Sequence, residues 1–237
     1  MKKLILSIAL CCAATNFFAQ NADPAQLVND GKAALEAKNY QEAYTKFSTY
    51  LTQTNNQDSV IAYNCGVCAD KIKKPAEALK YFDIAVQKKY NLANAYIGKA
   101  GALKDLKKND EYVATLKEGL EANPGNKTLT KLYATYYVNQ GIMAQKAKKM
   151  DAAEEAFKQA IAIQADNVNA LNSLGSLYYS KGANTMTTDV EKAKVEFKEA
   201  KEYLDKLIPL LSADKPAQKK MMDNAKTMLN FIDSQVK

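Results

Sequence analysis

Two cysteines in the run Cys65-Gly66-Val67-Cys68 form the one stretch of this 237-residue chain with the spacing of a reaction centre. A redox pair of this kind works when its first sulfur sits at an exposed helix N-terminus after a strand, where dipole and solvent lower the thiol pKa. No strand precedes Cys65, and Gly66 reads as a packing glycine within a helix. Two readings follow: a thiol redox pair, or two small apolar fillers on a core face, open to closure as a local disulfide. Metal ligation falls short, because two sulfurs without histidine leave a tetrahedral site half filled. Carboxylates at Glu154 and Glu155, and at Glu36 and Glu42, are of a type that does acid–base work. Their helical positions place them on solvated faces beside lysines, so no catalytic residue is assigned.

Composition narrows the chemistry further. All 33 basic residues are lysine, with no arginine and no histidine. Imidazole general bases, Ser-His and Cys-His pairs and histidine-ligated metals are therefore excluded. The planar fork that reads phosphates and guanine edges is also missing. A net charge of +7 is spread among 26 acidic residues and not gathered in a block, which argues against nucleic acid as a partner. No cofactor and no metal is expected. The apolar content of 47% is enough for a core, and only nine glycines and five prolines favour helices over an all-β fold.

The first residues stand apart. Met1-Lys2-Lys3, an apolar run from Leu4 to Ala14, and Phe17-Phe18-Ala19 before Gln20 have the order of a secretory signal, residues 1–19. The expected location is outside the cytoplasm, periplasmic or secreted. The alternative is an outer-membrane lipoprotein anchored through Cys11 or Cys12, although Leu10 is a poor match to the small residue that lipidation wants. No later stretch has the uninterrupted apolar length of a membrane span.

The rest of the chain repeats. Gly31, Gly66, Ala100 and Gly141 each lie twelve residues before Ala43, Ala78, Tyr112 and Ala153, which are followed four later by Phe47, Phe82, Leu116 and Phe157. From unit to unit the small residue steps by 35, 34, 41 and 34 residues, reaching Gly175. The seven extra residues before Gly141 are two helical turns, so they lengthen a helix without rotating its buried face. In the fifth unit Ala193 and Phe197 arrive six residues late, which predicts an insertion in the polar turn 182–189. A longer helix then runs to about Leu211, bent near Pro209, and a last helix carries Met221, Ala225, Met228 and Ile232 on one stripe.

A 34-residue helix–turn–helix unit with Leu174-Gly175-x-x-Tyr178, Ala153-x-x-x-Phe157-x-x-Ala160, Ala78-x-x-x-Phe82-x-x-Ala85 and a closing Pro124 resembles the tetratricopeptide repeat. The longer fifth turn and last helix are similar to exported members from Bacteroidetes-type bacteria. The resemblance implies an all-α, tetratricopeptide-type α-solenoid: a right-handed superhelix of about five antiparallel helix pairs at 24–58, 59–92, 93–126, 127–167 and 168–211. A capping helix at about 215–236 closes it. It also implies a non-enzymatic interaction module or scaffold of the cell envelope, holding a protein or peptide in a concave groove lined by the first helix of each pair.

The groove positions implied for this chain are Tyr63, Asn64 and Lys71, Asn94 and Lys104, Asn139 and Lys146, and Asn169, Asn172, Ser176 and Tyr179, with Val138 also on the groove side. Side-chain amides suit a peptide backbone because they both donate and accept. The lysine–asparagine clamp with which some members hold an acidic chain end is not reproduced.

Overall fold

The computed structural model describes residues 22–235, so the leader-like segment with Cys11 and Cys12 lies outside the described residues. Among the described residues are eleven α-helices and one 3-10 turn, with no strand, as the all-α reading expects. No helix among them is long and apolar enough to cross a membrane. The chain divides into two compact units, one through Leu129 and one from Thr130.

The first unit contains α1 (Pro24–Glu36), α2 (Tyr40–Gln53), α3 (Ser59–Lys71), α4 (Pro75–Gln87), α5 (Leu92–Asp105) and α6 (Asn109–Ala122). Helix starts follow local chemistry. Asp23 accepts from the Ala25 amide at 3.2 Å with Pro24 in the first turn, and Asp58 accepts from the Val60 and Ile61 amides at 2.9 and 3.0 Å. The pair-internal turns share one device. Lys38, Lys73 and Lys107 adopt φ of 58, 58 and 59°, and the next amide reaches back to Ala34, Ala69 and Leu103 at 2.8, 2.9 and 2.9 Å. This left-handed cap closes each first helix and reverses the chain onto the second.

Small residues then let the helices of a pair meet. A Cβ on Gly31 would lie 2.5 Å from Phe47 Cε1, and one on Gly66 would lie 3.0 Å from Phe82 Cδ1. Phe47 and Leu116 are fully buried, as is Ala100 at the corresponding small-residue position.

The second unit takes in α7 (Lys127–Lys146) from Thr130 onward, then α8 (Met150–Ile163), α9 (Val168–Thr185), α10 (Val190–Leu207), a 3-10 turn (Ile208–Leu210) and α11 (Pro216–Gln235). The extra two turns lengthen α7 to 20 residues, and Gly141 still faces the Phe157 ring. The fifth pair departs from the expectation of an inserted turn. Helix α9 continues through Gly182 to Thr185, both α9 and α10 have 18 residues, and only residues 186–189 connect them. The reason is a second glycine contact. A Cβ on Gly182 would sit 2.7 Å from Phe197 Cδ1, while Gly175 faces Leu204 instead, its Cβ 2.6 Å from Leu204 Cδ2. The inserted residues thus add a packed layer near the turn and keep the helical register below it. Asp189 restarts the chain by accepting from the Lys192 amide at 3.0 Å. The bend expected near Pro209 is the 3-10 turn. Helix α11 buries Ala225 and Ile232 in the core of this unit, with Met228 and Phe231 half-buried beside them.

Candidate functional site

The cysteines are the first candidate to be placed. Cys65 and Cys68 lie on α3, fully buried and unbonded to each other. Burial pushes the Cys65 thiol well above its ordinary value, with the neighbouring Cys68 adding to the effect, and burial raises Cys68 to about 11. A nucleophilic or redox thiol needs the opposite shift. The geometry therefore matches the reading as core fillers, with the thiols free and not in a local disulfide.

In the first unit the groove positions divide by what surrounds them. Tyr63 stands edge-on to Phe82 and to Tyr90, with ring centroids 5.8 Å away in both cases, so its ring is held in packing. Asn94 donates from Nδ2 to Asn91 Oδ1 at 2.9 Å and serves the start of its own helix. Asn64 is half-buried and makes no side-chain hydrogen bond among the described residues. Lys71 and Lys104 are exposed in the last turns of α3 and α5, where an ammonium complements the carbonyl end of the helix.

In the second unit Val138 is a correction, since it is 5% exposed and belongs to the core with Ala153 and Phe157. Asn139 and Lys146 on α7 and Asn169 on α9 are exposed. Tyr179 lies between Phe197 and Phe231, at centroid distances of 6.0 and 5.6 Å, so α11 covers it. Asn172 and Ser176 are brought together. They line a cavity of about 350 Å³ with Asn224, Thr227 and Met228 of α11. Its groups are amides and hydroxyls that donate and accept without carrying charge.

Ser176 also lines a second depression, of about 270 Å³, on the other side of α9. Met150 and Leu177 give it apolar walls, and Gln145, Ser180, Lys181 and Asn184 form the rest of the lining. The exposed stripe of α9 thus runs between a neutral hydrogen-bonding cradle and an apolar depression edged by a cation.

Two features were not legible in the sequence. Asn224 and Thr227 sit on the helix expected as a cover, whose stripe of methionines marks only its buried side. The helical pattern predicts Glu154 and Glu155 on a solvated face. Glu155 is exposed and bonded to Gln159, but the Glu154 side chain is 17% exposed and accepts from three donors. These are Tyr178 Oη at 2.5 Å, Lys181 Nζ at 2.5 Å and Lys158 Nζ at 2.7 Å. Burial alone would raise this carboxyl; the hydrogen bonds from Lys158, Lys181 and Tyr178 outweigh it and hold the group at about 2. Burial, then the Glu154 contact, raises the Tyr178 phenol to about 12. A carboxylate held this firmly ionised is a structural anchor and a poor general acid. No local motif marks the cluster beyond the common i,i+4 pair with Lys158, because its other two partners lie 24 and 27 residues away.

Comparison with known proteins places the fold. A crystal structure of a TPR repeats protein (BF2334) from Bacteroides fragilis is 48% identical, with a TM-score of 0.70, covering 87% of this chain and 99% of that one. YrrB, a TPR protein described as having an unusual peptide-binding site, is 16% identical with a TM-score of 0.52, covering 86% of this chain and 92% of its own, and is alike in fold. No protein-family model matches the chain, and no curated protein does.

Proposed function

We propose that this chain, which belongs to the tetratricopeptide repeat family, acts as a non-enzymatic interaction module that holds an extended segment of a protein partner across α9 of its second unit. The observation that carries this reading is Ser176, the one residue common to both cavities beside α9. A segment laid over it would meet amides and hydroxyls from Asn172, Asn224 and Thr227 on one side and an apolar depression on the other. Exposed groups with both donor and acceptor capacity match the unpaired amides and carbonyls of an extended backbone. Asn139 and Asn169 extend the polar surface of the same unit. In the first unit Asn64 is the groove position that keeps an uncommitted amide.

The order of residues in 1–19 supports export, and the reading therefore puts the module in the cell envelope or the secreted fraction, as a scaffold for another protein. The adjacent Cys11 and Cys12 supply a second version, a lipid-anchored outer-membrane accessory protein working through the same face. Labelling cells with a radioactive fatty acid separates the two, since only the anchored form incorporates label.

The test of function is a crosslinking pull-down from envelope extract with the native chain and with Asn172→Ala, Ser176→Ala and Asn224→Ala combined. All three side chains are at least partly exposed, so the variant keeps its fold. Loss of a discrete partner is the expected result. An unchanged partner set with the folded variant overturns the assignment of this face.

A further inference from the structure

The depression on the Lys181 side of α9 has a composition that specifies more than backbone binding. Of its seven lining residues one is a cation, none is an acid, and Met150 and Leu177 present carbon. Met150 is 44% exposed, so an apolar surface faces solvent at the mouth, while Leu177 is 5% exposed and forms the wall. Lys181 is fixed in direction by Glu154 Oε2, yet that carboxylate also answers Lys158. One negative charge therefore faces two ammonium groups, and the cluster keeps one positive charge in excess. Glu196 accepts from Thr185 at 2.7 Å and Glu155 from Gln159 at 2.8 Å, and the exposed Asp151 beside Met150 follows two lysines, Lys148 and Lys149, at the same turn. An ammonium has three donors, and Glu154 takes one of those on Lys181.

We infer that this depression is a side-chain subsite for an acidic, apolar peptide segment, in which an aliphatic side chain packs on Met150 and Leu177 and an adjacent carboxylate pairs with Lys181. The inference rests on the reading of α9 as a peptide face and adds sequence preference to it. The aliphatic group is drawn by the exposed carbon at Met150. The carboxylate is drawn by the uncompensated charge, which a neutral glutamine cannot answer. A basic peptide is rejected for the same reason, because it would bring a third cation to a cluster that has one anion. Gln145, Ser180 and Asn184 supply neutral donors and acceptors around the rim.

The probe is N-acetyl-leucyl-glutamyl amide, titrated into full-length protein carrying methyl-labelled methionine, with the Met150 signal assigned through Met150→Leu. The Met150 methyl is expected to shift saturably. The leucyl-glutamine and alanyl-glutamate analogues are expected to bind about tenfold more weakly, each having lost one of the two interactions. Lys181→Gln should abolish the preference for glutamate over glutamine, and Lys181→Arg should keep it. Lys158→Gln leaves Glu154 matched by Lys181 alone, and should weaken the preference without abolishing it, since Lys181 keeps donors that Glu154 does not take. Equal binding of the glutamate and glutamine probes to the native protein overturns the inference, as does a Met150 methyl that stays unmoved. If a protein partner is still captured at Ser176 while the probe fails, the preference is overturned and the peptide-face reading stands.

Discussion

The Tyr178 phenol donates to Glu154 Oε1 at 2.5 Å and ties α9 to α8 inside the second unit. On its other face the Tyr178 ring stacks with Tyr203 of α10, with centroids 5.8 Å apart and planes inclined by 18°. One residue of the repeat signature thus joins three helices, and its hydroxyl ends on a carboxylate that two lysines also hold.

That carboxylate makes stability sensitive to acid. Its pKa falls from 4.5 to about 2 on folding, so its contribution is complete above 4.5 and is lost as pH drops through that interval towards 2. Glu154→Gln is expected to cost about 1–3 kcal/mol near neutral pH, because Tyr178, Lys181 and Lys158 lose a charged acceptor that is itself largely buried. Urea melts of native and variant protein should converge as the pH approaches 2. A constant difference across that range would separate the cost from ionisation.

Glycines in the two units differ in what they allow. Gly141→Ala would drive a methyl into the Phe157 ring and should destabilise by about 1–3 kcal/mol. Gly101, exposed in α5, has nothing within 4 Å of where a Cβ would lie. Gly101→Ala should therefore stabilise by about 0.5–1 kcal/mol through helix propensity. Thermal melts of the two variants check both signs.

The lysine caps offer a third test. Lys73 holds φ at 58°, a region that costs an L-residue about 1–2 kcal/mol and glycine nothing. Part of that is regained from the favourable charge at a helix C-terminus. Lys73→Gly is expected to raise stability by about 0.5–1 kcal/mol at high salt, where the charge term is screened, and by less at low salt. Chemical denaturation at two salt concentrations reads the difference.

Thiol chemistry tests the cysteine assignment. With both sulfurs buried and raised in pKa, alkylation of Cys65 and Cys68 in the native protein should follow global unfolding, and denatured protein should label at once. Fast native labelling at neutral pH would return these residues to the list of reactive groups.

The legible part of this molecule was the part written in local periodicity. Gly31 with Phe47, Gly66 with Phe82 and Gly141 with Phe157 keep one spacing because a small residue and a large one must meet across a short turn. The fifth pair broke the rule in a way the pattern could not resolve, since Gly182 looks like a loop residue until Phe197 is found against it. Groove positions were harder. Tyr63 and Tyr179 have the register of exposed groups, and only the arrival of Tyr90 and Phe231 shows that their rings are packed. The partial exposure of Asn172 and Ser176 was legible because polar residues one position off a leucine stripe have few alternatives to solvent. The Glu154 cluster was not, because only Lys158 is a helical neighbour, four residues on, while Tyr178 and Lys181 reach it by tertiary contact.

The most direct measurement places a photo-crosslinking residue at Ser176, between the two cavities, and in a second variant at Lys198 on the exposed face of α10. Irradiation in cells that make the protein should give a discrete protein adduct from position 176 and none from 198. The same adducts from both positions, or an adduct from 198 alone, would contradict a binding face on α9.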